Sequence, residues 1–137
     1  MEQETIYTTS GYGLTLVTVD TNTVPCSVTG SPQTFSTNSD VNAAQAMIDY
    51  VKSIPNDTWI IGISTQDIHL HLAAAFDYFL EYLAVDLSVL VPNAALSFVA
   101  RKDDLFRTRV RHFGTYLYGP VVLVTDLTYF NKGISFR

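Results

Sequence analysis

A single cysteine, Cys26, stands in the 137 residues, so no disulfide can form within the chain. Its residue type and isolation fit a small, partly buried side chain in a protein made in a reducing cytoplasm. No apolar run approaches the roughly 20 residues that a membrane helix needs, and no membrane insertion is expected. The opening MEQETIYTTS lacks a basic segment followed by an apolar one, so it does not read as a secretion signal. Positive charge is scarce through residues 1–100, where Lys52 stands alone against ten acids. A nucleic-acid domain is basic overall or carries a broad basic face, so nucleic acid is not an expected partner. Glycine-rich phosphate loops are missing too. The one GYG precedes a strand, whereas a phosphate cradle lies between a strand and a helix.

Apolar residues make up 47% of the chain and charged residues only 15%, which excludes a disordered polypeptide. The length fits one domain spanning residues 1–137, with a core that needs no staples. GLTLVTVD (Gly13–Asp20) is rich in β-branched residues and reads as a strand buried on both faces. TNT turns the chain. Val24–Val28 can return as a short strand, which Pro25 assigns to an edge. TGSP reads as loop and QTFST as a short extended piece. Ser39 is a candidate N-cap, and Val41, Ala44, Met47, Ile48, Val51 and Ile54 recur at helical spacing until Pro55 ends the pattern.

TWIIGIS (Thr58–Ser64) is a continuous apolar strand, expected at the centre of a sheet. A second helix is expected over about His69–Leu83, burying Leu72, Ala75, Phe76, Phe79, Leu80 and Leu83. VDLSVLVPN connects it to a strand at Ala95–Lys102, and Tyr118–Phe130 reads as the last strand. The order implies an α+β domain, with two main helices packed on mixed or antiparallel β-sheets.

Catalytic patterns find little support. Ser64 in GIST does not sit in a Gly-x-Ser-x-Gly elbow, and no spacing favours a hydrolytic triad. DIHLH places Asp67, His69 and His71 at alternate positions. At the mouth of a helix, residues two apart diverge by about 200°, so the histidines do not converge on one ion. Neither an enzyme, a metal site nor a cofactor is expected. Tyr78 and Tyr82, one turn apart, are expected beside the core with their hydroxyls in water. Trp59 reads as core rather than as a sugar platform.

GYGLTLVTVD, FST, a helix closed by SIP, then IIGIS, a second helix, LSFVARK and GPVVLVTDL follow one another in an order that resembles the interleukin-like EMT inducer domain. This family is also called PANDER-like or GG, and the resemblance covers about residues 11–127. The family's glycine-led first strand is matched by Tyr12, Gly13, Leu14 and Thr15. Its F-D-T becomes Phe35, Ser36 and Thr37. Of its F-V-G-R-K-G, Phe98, Val99, Arg101 and Lys102 match, whereas Ala100 and Asp103 replace the glycines. Such domains occur in secreted cytokine-like proteins, in large cell-surface hyaluronan-related proteins and in the stem of a mannose-linked N-acetylglucosaminyltransferase. Related domains occur in bacteriophage tail and fibre proteins.

The resemblance implies a non-enzymatic role and a candidate glycan site at Ser64, Gln66, Asp67, Asn93 and Arg101. Asp67 or Gln66 stands for a sugar-binding aspartate of the transferase stem. The stem's sugar-binding arginine, by contrast, aligns with Pro92, Asn93 and Ala94. The signal peptide and disulfides of animal members are not found here, which points to a virion component instead.

RKDDLFRTRVRHF (Arg101–Phe113) gathers five of the eight basic residues. If the segment is extended, Arg107, Arg109 and Arg111 share one face. One reading is a sheet edge guarded by charge. The other is a docking strip for an acidic protein surface or an anionic glycan, with Tyr116 and Tyr118 as flat contact groups. Arg101, Lys102, Asp103 and Asp104 are expected to form a local ion-pair cluster. The resulting expectation is a structural and adhesive accessory domain of a larger assembly such as a phage tail or fibre. It would dock to neighbouring subunits, copies of itself or a host surface. The rival expectation is a carbohydrate-binding module with a cell-surface glycan as partner.

Overall fold

The computed structural model of the chain describes residues 13–20, 27–64 and 67–113, with Ser27, Gly30 and residues 111–113 described by their backbone alone. Among the described residues five strands form one sheet: β1 (Leu14–Asp20), β2 (Ser27–Phe35), β3 (Trp59–Ser64), β4 (Ala95–Arg101) and β5 (Asp104–Phe113). Their spatial order is β2-β1-β3-β4-β5, and every neighbouring pair is antiparallel. Two helices, α1 (Ala43–Ser53) and α2 (Phe76–Leu83), complete an α+β domain. The expected strand at Tyr118–Phe130, together with Cys26, lies outside the described residues.

Among the described strands β3 is the central one, as its unbroken apolar run predicts. Alternation sends Leu14, Leu16, Ile60, Leu96, Phe98 and Ala100 towards the helices, where they meet Met47, Val51, Leu72, Phe79 and Leu83 in the main core. The opposite sheet face buries Val19, Trp59 and Val99 together. β1 is therefore buried on both sides, with Thr15 and Val17 also withdrawn from water.

Several expectations change. TGSP is part of β2 rather than a loop. Leu16 pairs with Gln33 and Thr18 with Thr29, so Gly30, Ser31 and Pro32 bulge opposite Val17. Among the described strands β2 is at the edge, and an edge strand accommodates such a bulge more readily than a central one. Ser39 is not the cap of α1. The N-cap is Asn42, whose own amide donates to Asp40 Oδ1 at 2.9 Å. Val41 consequently precedes the helix and stands 67% exposed. At the other end Ile54 is extended (ψ 132°), as the residue before Pro55 must be.

The second helix starts later than its pattern predicts because one local and two tertiary partners take the amides of its expected first turn. His69 N donates to Asp67 Oδ1, Leu70 N to Asn38 Oδ1 and His71 N to the Thr37 carbonyl. Only after a 3-10 turn at Ala73–Ala75 does α2 begin. Its core side is Phe76, Phe79 and Leu83, which leaves Leu80 52% exposed on the flank.

This latch hangs on the fully buried Thr37, whose Oγ1 donates to the Ile68 carbonyl at 2.8 Å. Thr37→Val keeps the shape and removes the donor. It is expected to lower stability by about 1–3 kcal/mol in urea unfolding, with Thr37→Ser retaining most of it.

Candidate interaction surface

The basic segment is a β-hairpin, and its irregularity shapes the site. Arg101 pairs with Asp104 across a two-residue turn, Lys102 and Asp103, with Asp103 at φ 65°. The next register pair is Val99 with Arg109. Leu105, Phe106, Arg107 and Thr108 thus stand opposite Ala100 alone, and this bulge throws Phe106 outward to 95% exposure. Among the described residues no other large apolar side chain is as exposed.

The base of the bulge is braced. Asp104 Oδ2 lies 3.0 Å from Arg107 Nε and 3.6 Å from Arg101 Nη1. Arg101 also donates from Nε to the Asp57 carbonyl at 3.1 Å, and its guanidinium sits 6.0 Å from the centre of the Trp59 ring. Thr108, between Arg107 and Arg109, turns its hydroxyl to the Leu83 carbonyl at the end of α2. By alternation the two arginines lie on the sheet face away from the helices. Arg109 Nη1 donates to the Thr108 carbonyl at 2.9 Å. The backbone of Arg111 faces Ser97. Tyr116 and Tyr118 lie outside the described residues.

The expected four-residue ion cluster holds for Arg101 and Asp104 but not for Lys102. That side chain is only 6% exposed and turns inward, with Nζ donating to the carbonyls of Val51 at 2.8 Å, Lys52 at 3.3 Å and Ile54 at 2.5 Å. It closes the C-terminal end of α1, where the last carbonyls, Val51's shared with the Ile54 amide, and the helix dipole both favour a cation. Asp103 instead donates its amide to the Tyr82 carbonyl.

The candidate glycan residues do not all converge. Ser64 Oγ accepts the Leu96 amide at 2.7 Å and holds the start of β4, and Asp67 holds the His69 amide. Asn93 is exposed in the turn before β4, at φ 65°. Arg101, however, pairs with Trp59 at the far end of β3, roughly 17 Å of strand from Ser64. Gln66 lies outside the described residues. Among the described residues no group of three or more His, Cys, Asp or Glu is placed to hold a metal ion. None of the helices described is long and apolar enough to cross a membrane. Trp59 is core, as expected, and Tyr78 and Tyr82 stack with ring centres 4.6 Å apart.

Sequence reasoning fixed on the arginines and missed Phe106. The signal was the adjacent pair Leu105 and Phe106, since a strand cannot bury two successive side chains on one face. A search of protein-family models finds no match to the chain, and a search of curated proteins finds none either.

Proposed function

We propose that the chain is a non-enzymatic structural and adhesive domain of a larger assembly. In this reading it is a bacteriophage tail or fibre component of the interleukin-like EMT inducer type, docking through the β4–β5 hairpin. The observation that carries the reading is Phe106, presented to water on a hairpin fixed by the Arg101, Asp104 and Arg107 ion pairs. Exposed aromatic side chains and arginines are the residue types in which binding hot spots are enriched. Prior bracing matters because an ordered hairpin loses little entropy on docking. In Ser64 and Asp67, the residues nearest to a catalytic or sugar-binding pattern, Oγ and Oδ1 each accept a backbone amide.

The test is sedimentation of a lysate of the producing cells through a sucrose gradient. The chain is expected in a heavy particle at fixed stoichiometry, with Phe106→Ser reducing its incorporation by about tenfold or more. A wild-type chain confined to the light fractions overturns the reading. The carbohydrate-binding alternative rests on Ser64, Asp67 and Asn93 lying towards one end of the sheet. It predicts sugar-dependent NMR shifts there that Phe106→Ser leaves intact.

A further inference from the structure

Both helices pack on one face of the sheet, yet the other face is also withdrawn from water. Register lays three rows across it: Thr15, Ile63 and Ser97, then Val17, Ile61 and Val99, then Val19, Trp59 and Arg101. Thr15, Val17, Val19, Trp59, Ser97 and Val99 are all buried. A bare sheet face does not bury its side chains to this degree. Neighbouring strands shield the flanks of a side chain, but its tip points straight away from the sheet. Trp59, the largest of the set, is only 2% exposed, and Val17 only 1%. Among the described residues, the cluster of Val19, Trp59 and Val99 has no member from outside the sheet.

Two long segments lie outside the described residues, and they differ in composition. Residues 1–12 hold four apolar residues and two glutamates, whereas residues 118–130 hold eight apolar residues and a single charge, Asp126. In the run Val121–Val124, every position is apolar, so an extended chain presents an apolar side to the sheet in either orientation. Reach is sufficient as well. Residues 114–117 can span roughly 13 Å beyond the end of β5, more than the ~10 Å between packed β-layers. Lying beside β5 in the same layer, the segment would leave Val17 and Trp59, two and three strands away, without cover.

We propose that the sheet face bearing Val17, Trp59 and Val99 is the docking surface for residues 118–130 of the same chain, which close it as a second layer. Side chains of two such layers interdigitate to form a core of their own. The domain then has an apolar core on each side of the sheet. The β4–β5 hairpin, which leads directly into this segment, keeps Phe106 outside both cores and open to a partner. Failure of this cover would leave the assembly reading standing, and the reverse also holds.

Trp59 is the only tryptophan in the chain and belongs to the covered face, so its indole reports the cover directly. The first measurement uses the wild-type full chain, with 13C-labelled and unlabelled protein unfolded, mixed and refolded together. NOEs from the Trp59 indole and the Val17 and Val99 methyls to side chains of residues 118–130 are expected within labelled chains and absent between labelled and unlabelled ones. The same NOEs between chains would overturn the proposal, the segment then crossing to a second copy. NOEs to residues 1–12 instead, or to neither segment, overturn it too. An independent reading comes from the double variant Val122→Asp with Leu123→Asp, which sets a carboxylate against the sheet whichever side is seated. Its Trp59 emission is expected to move to the red and to be quenched faster by acrylamide, with far-UV circular dichroism showing that the helices persist. Emission and quenching unchanged from wild type would overturn the cover, and a double variant that does not fold leaves the decision to the wild-type NOEs.

Discussion

Gly62→Ala is expected to destabilise the domain by about 1–3 kcal/mol, although alanine is ordinarily the better strand residue. Gly62 lies at the middle of β3, opposite Leu16 on one side and Phe98 on the other. A Cβ there would sit 2.0 Å from Phe98 Cε2 and 2.4 Å from Cζ, so the ring itself occupies the space that a side chain would take. The ring has nowhere to go. Phe98 is fully buried, and Phe79 meets it edge-to-face with centroids 6.3 Å apart. The roughly 0.4–1 kcal/mol that alanine gains by restricting the unfolded chain is smaller than the overpacking it causes.

Phe98→Leu costs stability by itself but removes the obstructing ring edge. The double variant Gly62→Ala with Phe98→Leu should therefore be more stable than the sum of the singles by about 1 kcal/mol or more, read from urea midpoints. Simple additivity would show that Gly62 and Phe98 are not in the contact described.

The same pair shows what a sequence discloses. A glycine inside an apolar run marks a close approach, and the run itself announces a central strand, but nothing in it says which ring approaches. β1, β3 and β4 were legible because continuous β-branched and apolar residues permit few other fates. α1 was legible from Ala44 to Ile54, where side chains repeat at three and four. Its beginning was not, because the chain turns on the Asp40 carboxylate rather than on Ser39. The delayed start of α2 depends on Thr37 and Asn38, more than thirty positions upstream, which no local window contains. Gly30 and Pro32 read as loop residues and became a bulge, since an edge strand tolerates what a central one does not. In the candidate site, period-two alternation found the arginines, yet the register jump after Arg101 decided that Phe106 would be the side chain left in water.

Lys102→Met is expected to cost about 2–4 kcal/mol, more than any ion pair on the hairpin surface contributes. The methionine can replace the buried stem but gives no donor to the Val51, Lys52 and Ile54 carbonyls, and no charge against the end of α1. Hydrogen exchange should quicken in the last turn of α1 before it does elsewhere. Its pH dependence has a defined sign. Burial pushes the Lys102 ammonium below the usual 10.5, and the Asp103 carboxylate partly restores it.

Between the lowered value and 10.5 the unfolded chain holds a proton that the folded chain has released, so this lysine makes stability rise with pH across that window. Tyr50 and Tyr78 act in the opposite sense. Burial raises both above 10.0, with Tyr82 and Asp103 adding to the rise at Tyr78, so above pH 10.0 the folded chain keeps protons that the unfolded one has lost, and stability falls. Wild type and Lys102→Met share the tyrosines, whose effect cancels in the difference between them. That difference, from guanidinium unfolding at about pH 7.5 and about pH 10, should widen at the higher pH. A gap that narrows instead would show the carbonyl cage holding the proton more tightly than burial expels it, and a cost below about 0.5 kcal/mol would remove Lys102 as the cap of α1.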